Sequence, residues 1–442
     1  MNNKFRRWLH AESAQWVAEG IVREDQAEVI RAKYPLDGMG EESRNTIINM
    51  LFVFGAVLVA CGIIAFIAAH WDGMAAFVKL SLIMGIMLAV HWAGFYLWKI
   101  RGASPRLGHA LLLLGTLIFG ANIGLVAQIF HLHSQYYNGF LIWTAGALIM
   151  GYAVSSVPHA ALAVVSSFIW FTGWQADYPG IWPIYSFLAL PAFLPFAYRH
   201  GSERLHFLTL LAWGVAIPSF LAVSREGGSV LTWVALMPFL AALYWAYGDI
   251  IADKYRAFAH GSEILASLGL SMICYMVSFR GIIERFLIER QDFGMWDLVF
   301  TIVFAVGALS MSFIALGRKK SAGGKYVPYF VLAAVTIACY ILVSLRMLDT
   351  SNSPAAIITG IILGNLAAVL WGGFLAWKGA METERSYFWI GLLLLVLVVA
   401  GRFFEYETGL LWKSAAFIMT GLTLMAGGIW FEKRRKKVMA GA

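Results

Sequence analysis

The feature that most constrains this chain is a succession of long apolar segments running from residue 46 to residue 431. Crossing the roughly 30 Å hydrocarbon layer of a bilayer takes about 20 mostly apolar residues in an α-helix. Fourteen segments approach that length: 46–69, 75–98, 108–130, 138–154, 160–175, 181–198, 207–224, 230–248, 262–280, 296–316, 327–346, 355–377, 386–402 and 410–431. At membrane depth no water satisfies backbone N–H and C=O groups, so such segments must be helical. The expected fold is therefore all-α, a polytopic integral membrane helical bundle of about 14 transmembrane helices. The segments within 138–198 are short, and a tilted or re-entrant piece is the alternative there.

Charge supports lipid as the main solvent. Only 13% of the residues are charged and 60% are apolar or aromatic, against about a quarter charged in soluble domains. The net charge of +8 does not point to nucleic acid, because the basic residues stand in short clusters between apolar segments, such as Lys99–Arg101, Arg318–Lys320 and Lys433–Lys437. With the N-terminus in the cytoplasm, the residues falling outside are Lys79, Arg225, Arg280, Arg285, Arg290, Arg346, Arg402 and Lys413, and the other 25 of the 33 Lys and Arg fall inside. That bias places both termini in the cytoplasm. Cys61, Cys274 and Cys339 all lie in apolar segments and read as small core residues. No cleavable signal peptide is expected, and the first span is left to act as the insertion signal.

Three regions follow. Residues 1–45 read as a cytosolic amphipathic helical hairpin, with Gly20 ending the first helix and a second running over Glu24–Tyr34 before Pro35. It suits a cap on the helix ends, a partner-binding element or a surface anchor. Residues 46–431 form the transmembrane helical bundle, and residues 432–442 a basic cytoplasmic tail. Pro183, Pro191, Pro195, Pro218 and Pro238 cluster in the sixth to eighth spans, where they are expected to kink or interrupt the helices. No internal repeat stands out.

The outward ends of the spans carry an unusual set of polar side chains. His70, Trp71 and Asp72 close the first, Gln128 and His131 the third, Trp174 and Asp177 follow the fifth, and Arg402 and Glu405 the thirteenth. Gln128 and His131 are three apart and are expected to share a helix face; Arg402 and Glu405 are three apart and are expected to pair. These nine residues are candidates for binding a substrate, with hydrogen bonding at the membrane–water boundary as the plain alternative. Histidines here suit a proton or a substrate, but no His-x-x-x-His or Cys-x-x-Cys spacing supports a metal. At membrane depth, Asn122 and Asn365 each accompany a Gly-x-x-x-Gly spacing that lets helices approach, and His91 is a further polar candidate; Glu263 begins the ninth span. No phosphate-cradling loop and no nucleophile elbow occurs, so no cofactor and no metal are assigned, and catalytic residues stay unassigned.

Several stretches resemble a known family: Trp16-Val-Ala-Glu-Gly20-Ile-Val with Tyr34-Pro35, Ala68-Ala69-His70-Trp71-Asp72, and Gly120-Ala-Asn122-Ile-Gly124-Leu-Val-Ala-Gln128-Ile-Phe-His131 followed by Gly139-Phe-Leu-Ile-Trp143. They are similar to the bacterial predicted-membrane-protein family called domain of unknown function twenty-one fifty-seven, mainly over residues 1–155. The tail from Arg402 to Arg435 resembles the ending shared by this family and a sister family of unknown function. The resemblance implies a multi-pass protein of the bacterial inner membrane and no particular activity.

The leading functional expectation is a transporter or flippase-like carrier for a lipid or envelope-glycan precursor, with a membrane-depth cavity lined by polar side chains. The alternatives are a non-catalytic scaffold or complex subunit, and a membrane enzyme acting on a lipid-linked substrate at the outer face. Expected partners are membrane lipids, a lipid-linked or glycan substrate, and a membrane or periplasmic protein, with no nucleic acid.

Overall fold

A computed structural model describes residues 12–13, 15–33, 73–102, 104–132, 135–178, 184–223, 230–288, 295–318, 327–347, 354–405 and 410–440. Among these the regular structure is helical and contains no strand. Residues 1–82 and 83–442 form separate compact units. In the first, the helix through residues 15–18 ends where Gly20 takes a left-handed φ of 72°. The Ile21 N–H bonds the Trp16 carbonyl and the Gly20 N–H bonds that of Val17, the pairing that satisfies orphan carbonyls at a helix end and favours glycine there. Helix α1 follows over Glu24–Lys33.

The remaining helices are α2 (Ala76–Phe95, continued by one π turn over Tyr96–Ile100), α3 (Pro105–Ile129), α4 (Tyr136–Ala153), α5 (Val157–Asp177), α6 (Ile184–Arg199), α7 (Glu203–Val223) and α8 (Val230–Ile251). Then come α9 (Arg256–Val277), α10 (Arg280–Ile288), α11 (Met295–Arg318), α12 (Val327–Met347), α13 (Pro354–Glu382), α14 (Arg385–Glu405) and α15 (Leu410–Ala440). Except for the short α1 and α10, each overlies one of the apolar segments; the segment 46–69 lies outside the described residues. Among the described residues, seven helices are long and apolar enough to cross a membrane: Ala76–Ile100, Pro105–Ile129, Val157–Asp177, Arg256–Val277, Ala355–Glu382, Arg385–Phe403 and Trp412–Arg435. Helix α6, with 16 residues, spans only about 24 Å.

The helices continue unbroken through Pro191 and Pro195 in α6, Pro218 in α7 and Pro238 in α8. The expected interruptions are thus not formed, since a helix buried among neighbours tolerates one missing donor. Pro183 lies outside the described residues.

Burial divides the helices into a centre and a periphery. Trp245 of α8, Trp371 of α13, Tyr387 of α14 and Phe171 of α5 are fully buried. By contrast α2, α11 and α15 leave large apolar side chains uncovered, among them Trp92, Phe313 and Trp412. An apolar surface of that extent suits contact with lipid. Small residues set the closest crossings, as expected where lipid removes the hydrophobic drive between helices. At the α13–α14 crossing a Cβ on Gly391 would strike Gly372 O and Ala376 N. One on Gly364 would overlap Val277 O at the end of α9.

Candidate functional site

Helices α9, α13 and α14 pack against one another, and charged side chains collect at both ends of this triad. Glu263 stands in the second turn of α9. Its carboxylate accepts a hydrogen bond from the Tyr387 hydroxyl and lies 3.7 Å from Lys378 Nζ. Both charged side chains are nearly closed off, at 14% and 12% exposure. Lys378 pairs more closely with Glu382, at 2.8 Å, which is half exposed. The ammonium also sits 4.2 Å above the Tyr387 ring and 5.3 Å from that of Trp245, positions in which a ring face attracts a cation. His260 Nδ1 is 3.4 Å from the Tyr387 hydroxyl. Next to this group Tyr329 of α12 donates a 2.6 Å hydrogen bond to Asp249 of α8. Five helices therefore meet at one partly buried polar cluster.

Glu263 and Ser278 are fifteen positions apart, roughly 22 Å along a helix axis. There Arg402 pairs with Glu405 and donates to Ser278 Oγ at 2.7 Å. Its guanidinium lies 4.9 Å from the Phe279 ring. Glu405 also accepts from the backbone N–H of Arg280. Asn365 of α13 donates to the Ser278 carbonyl at 3.3 Å and to its own helix at Ile361 O, 2.7 Å. Between the two ends, Trp371 Nε1 donates to Ser271 Oγ at 3.2 Å and reaches Ser267 O at 3.4 Å. Ser267 in turn bonds back to the Glu263 carbonyl at 2.7 Å. One face of α9 thus carries a line of polar contacts through an apolar bundle.

The adjoining face of α9 is apolar. With α7 and α8 it lines a cavity of about 490 Å³, walled by Leu210, Leu211, Leu240, Leu265, Leu268 and Met272 among others. Gly214 belongs to this wall, and a Cβ there would sit 2.7 Å from the Tyr244 hydroxyl. Two further cavities are also mainly apolar, one of about 420 Å³ between α14 and α15 and one of about 220 Å³ among α2, α3 and α4. The polar membrane-depth cavity expected for a glycan headgroup is not one of these three.

Of the residues singled out in the sequence, Arg402 and Glu405 do pair, and Asn365 joins their group. Asn122 is buried and donates to Ile83 O at 3.1 Å, bridging α3 and α2. Both asparagines therefore tie helices together. Of the Gly-x-x-x-Gly glycines, Gly120 meets the Trp143 ring while Gly124 faces open space. His91 donates from Nδ1 to Met87 O at 2.9 Å, and its ring covers Gly115. Trp174 is stacked on Trp170, with Tyr178 6.0 Å away, and Asp177 accepts a 2.9 Å hydrogen bond from Tyr137.

Gln128 and His131 are exposed and do not share a helix face. Helix α3 ends at Ile129, and His131 takes a left-handed φ of 50° with its N–H on Gln128 O. The turn that closes the helix swings the imidazole off the face on which a spacing of three would place it. His70, Trp71 and Asp72 lie outside the described residues. Helix α5, with Trp174 and Asp177, packs against α3, α4, α6 and α7, whereas α14, with Arg402, packs against α9, α13 and α15.

Sequence reasoning singled out Glu263 but missed Asp249, Tyr329, Lys378 and Tyr387. All of them stand within one turn of an apolar segment's end, Asp249 and Lys378 just beyond it. Charges at those positions ordinarily read as topological signals, so the position of the segment ends was the one available clue.

A chain whose described residues are helical, with seven helices among them suited to cross a bilayer and broad apolar outer surfaces, is a multi-pass membrane protein. Its N-terminal part, residues 14–160, matches the model of a family described as Predicted membrane protein (DUF2157), over nearly the interval from which the resemblance was read. Comparison with curated proteins and with solved structures gives no match. Both charged clusters lie beyond the matched residues.

Proposed function

We propose that the protein is a carrier that moves a lipid, or the lipid part of an envelope precursor, across the bacterial inner membrane. It does so with fourteen spans and both termini in the cytoplasm. The observation that carries this reading is the double use of α9. One face bears the polar line from Glu263 to Ser278, and the adjoining face walls the apolar cavity shared with α7 and α8. An acyl chain fits such a cavity, and a polar line beside it supplies groups that respond to charge. The apolar lining narrows the cargo to the tail of an amphiphile.

The experiment is lipid translocation in liposomes containing the purified protein and a trace of fluorescent phosphatidylglycerol, read by quenching with an impermeant reductant. Lipid that starts in the inner leaflet should be quenched only where protein is present to carry it to the outer leaflet. Gly269→Phe should slow this several-fold, because a Cβ at Gly269 would meet Met237 Sδ at an ordinary 3.8 Å and the ring would enter the cavity. Equal quenching with and without protein would reject the carrier.

A scaffold reading draws on a different observation. Ile21 and Val29 on the N-terminal segment are 66% and 69% exposed, as a face kept for a partner would be. Ile21→Asp with Val29→Asp separates the two, since the carrier reading expects unchanged lipid translocation and the scaffold reading expects loss of a co-purifying membrane protein.

A further inference from the structure

The Glu263 cluster holds more negative than positive groups. Facing Glu263 are Asp249 from α8, Tyr329 from α12, Lys378 and Glu382 from α13, Tyr387 from α14 with Glu384 just before it, and His260 from its own helix. Among the described residues the cluster has one ammonium, Lys378, placed between a closed carboxylate and a half-exposed one. Carboxylates gathered in a poorly solvated site do not all stay ionised; a proton on one of them relieves the repulsion. The distances identify the carboxylate that can give up its counter-charge. Lys378 is 2.8 Å from Glu382 and 3.7 Å from Glu263.

We propose that Glu263 is a proton-binding site with Lys378 as its displaceable counter-charge. With Glu263 ionised, the ammonium is shared between Glu263 and Glu382. A hydronium ion gives its proton to the Glu263 carboxylate, forming the neutral acid and leaving a water molecule. Lys378 then pairs with Glu382 alone. The Tyr387 hydroxyl keeps its hydrogen bond to Glu263 in both states, so the carboxyl stays in place while the ion pair across α9 and α13 opens. Glu382, at 51% exposure, is the side of the cluster from which water reaches it. In the carrier this site couples lipid movement to a proton gradient, and that clause rests on the function proposed above.

The test is infrared difference spectroscopy of the full chain in lipid, stepped across the neutral pH range. The wild type should show a protonated-carboxyl band that disappears as pH rises. Glu263→Gln, which keeps the size and an acceptor for Tyr387, should lack the band and show an unchanged melting temperature at acid pH. Lys378→Met should retain the band to higher pH, as removal of the counter-charge favours the neutral acid. A band that survives in Glu263→Gln, or no pH-dependent band at all, overturns the site. Lipid translocation is measured in parallel with and without a pH gradient. A gradient effect lost in Glu263→Gln supports coupling. No translocation in either protein rejects the carrier, while the band still decides the proton site.

Discussion

The two ends of the α9–α13–α14 triad are built from the same kinds of residue and solve different problems. At the Arg402 end one guanidinium meets one carboxylate, a serine hydroxyl and an aromatic ring, and the carboxylate also takes a backbone N–H. Charge is matched and the planar fork donates to Glu405 and to Ser278 Oγ, the arrangement in which a buried pair is stable. At the Glu263 end a flexible ammonium is shared between two carboxylates with a third nearby. The comparison teaches that a matched, forked pair fixes a helix crossing, whereas an ammonium shared among carboxylates leaves a crossing free to respond.

The comparison can be broken by substitution. The largest effect is expected for Arg402→Ala, which leaves Glu405 nearly closed off with only a backbone donor. Loss of one partner from a buried pair costs about 3 kcal/mol or more, read as a lower unfolding midpoint in detergent at every pH. Gly391→Ala comes next, at roughly 1–3 kcal/mol, because its new methyl meets backbone atoms that cannot step aside. Lys378→Ala should cost less than Arg402→Ala, about 1 kcal/mol after allowing for the half-exposed Glu382. Its deficit should shrink as pH falls, since protons then remove the repulsion that the ammonium offset. A Lys378→Ala deficit independent of pH would erase the distinction between the two ends. The smallest effect is Asn365→Ala, near 0.6 kcal/mol, the average measured for hydrogen bonds between membrane helices.

Much of the fold was legible because the bilayer imposes a length on each apolar segment. Helices lie over 75–98, 108–130 and the later segments down to 410–431. The Arg402–Glu405 pair was legible because a spacing of three needs only a helix. What failed needed more than local spacing. His131 depended on where α3 stops, one turn residue short of the face assumed for it. The prolines of α6 and α8 were read as breaks, but packing against neighbouring helices carries the backbone through them. The Glu263 cluster joins residues as far apart as Asp249 and Tyr387, and no periodicity in one segment reveals which distant segment end lies beside it.

The proposed fourteen spans with both termini in the cytoplasm put the two charged ends of the α9–α13–α14 triad on opposite sides of the membrane. The most direct test of that placement puts single cysteines at Glu384, exposed in the turn between α13 and α14, and at Gly281, exposed at the start of α10 with open space around its Cβ position, after replacing Cys61, Cys274 and Cys339 by alanine. An impermeant maleimide added to intact cells should label the cysteine at 281 and leave the one at 384 untouched until the membrane is opened. Labelling of both from the same side would contradict the account.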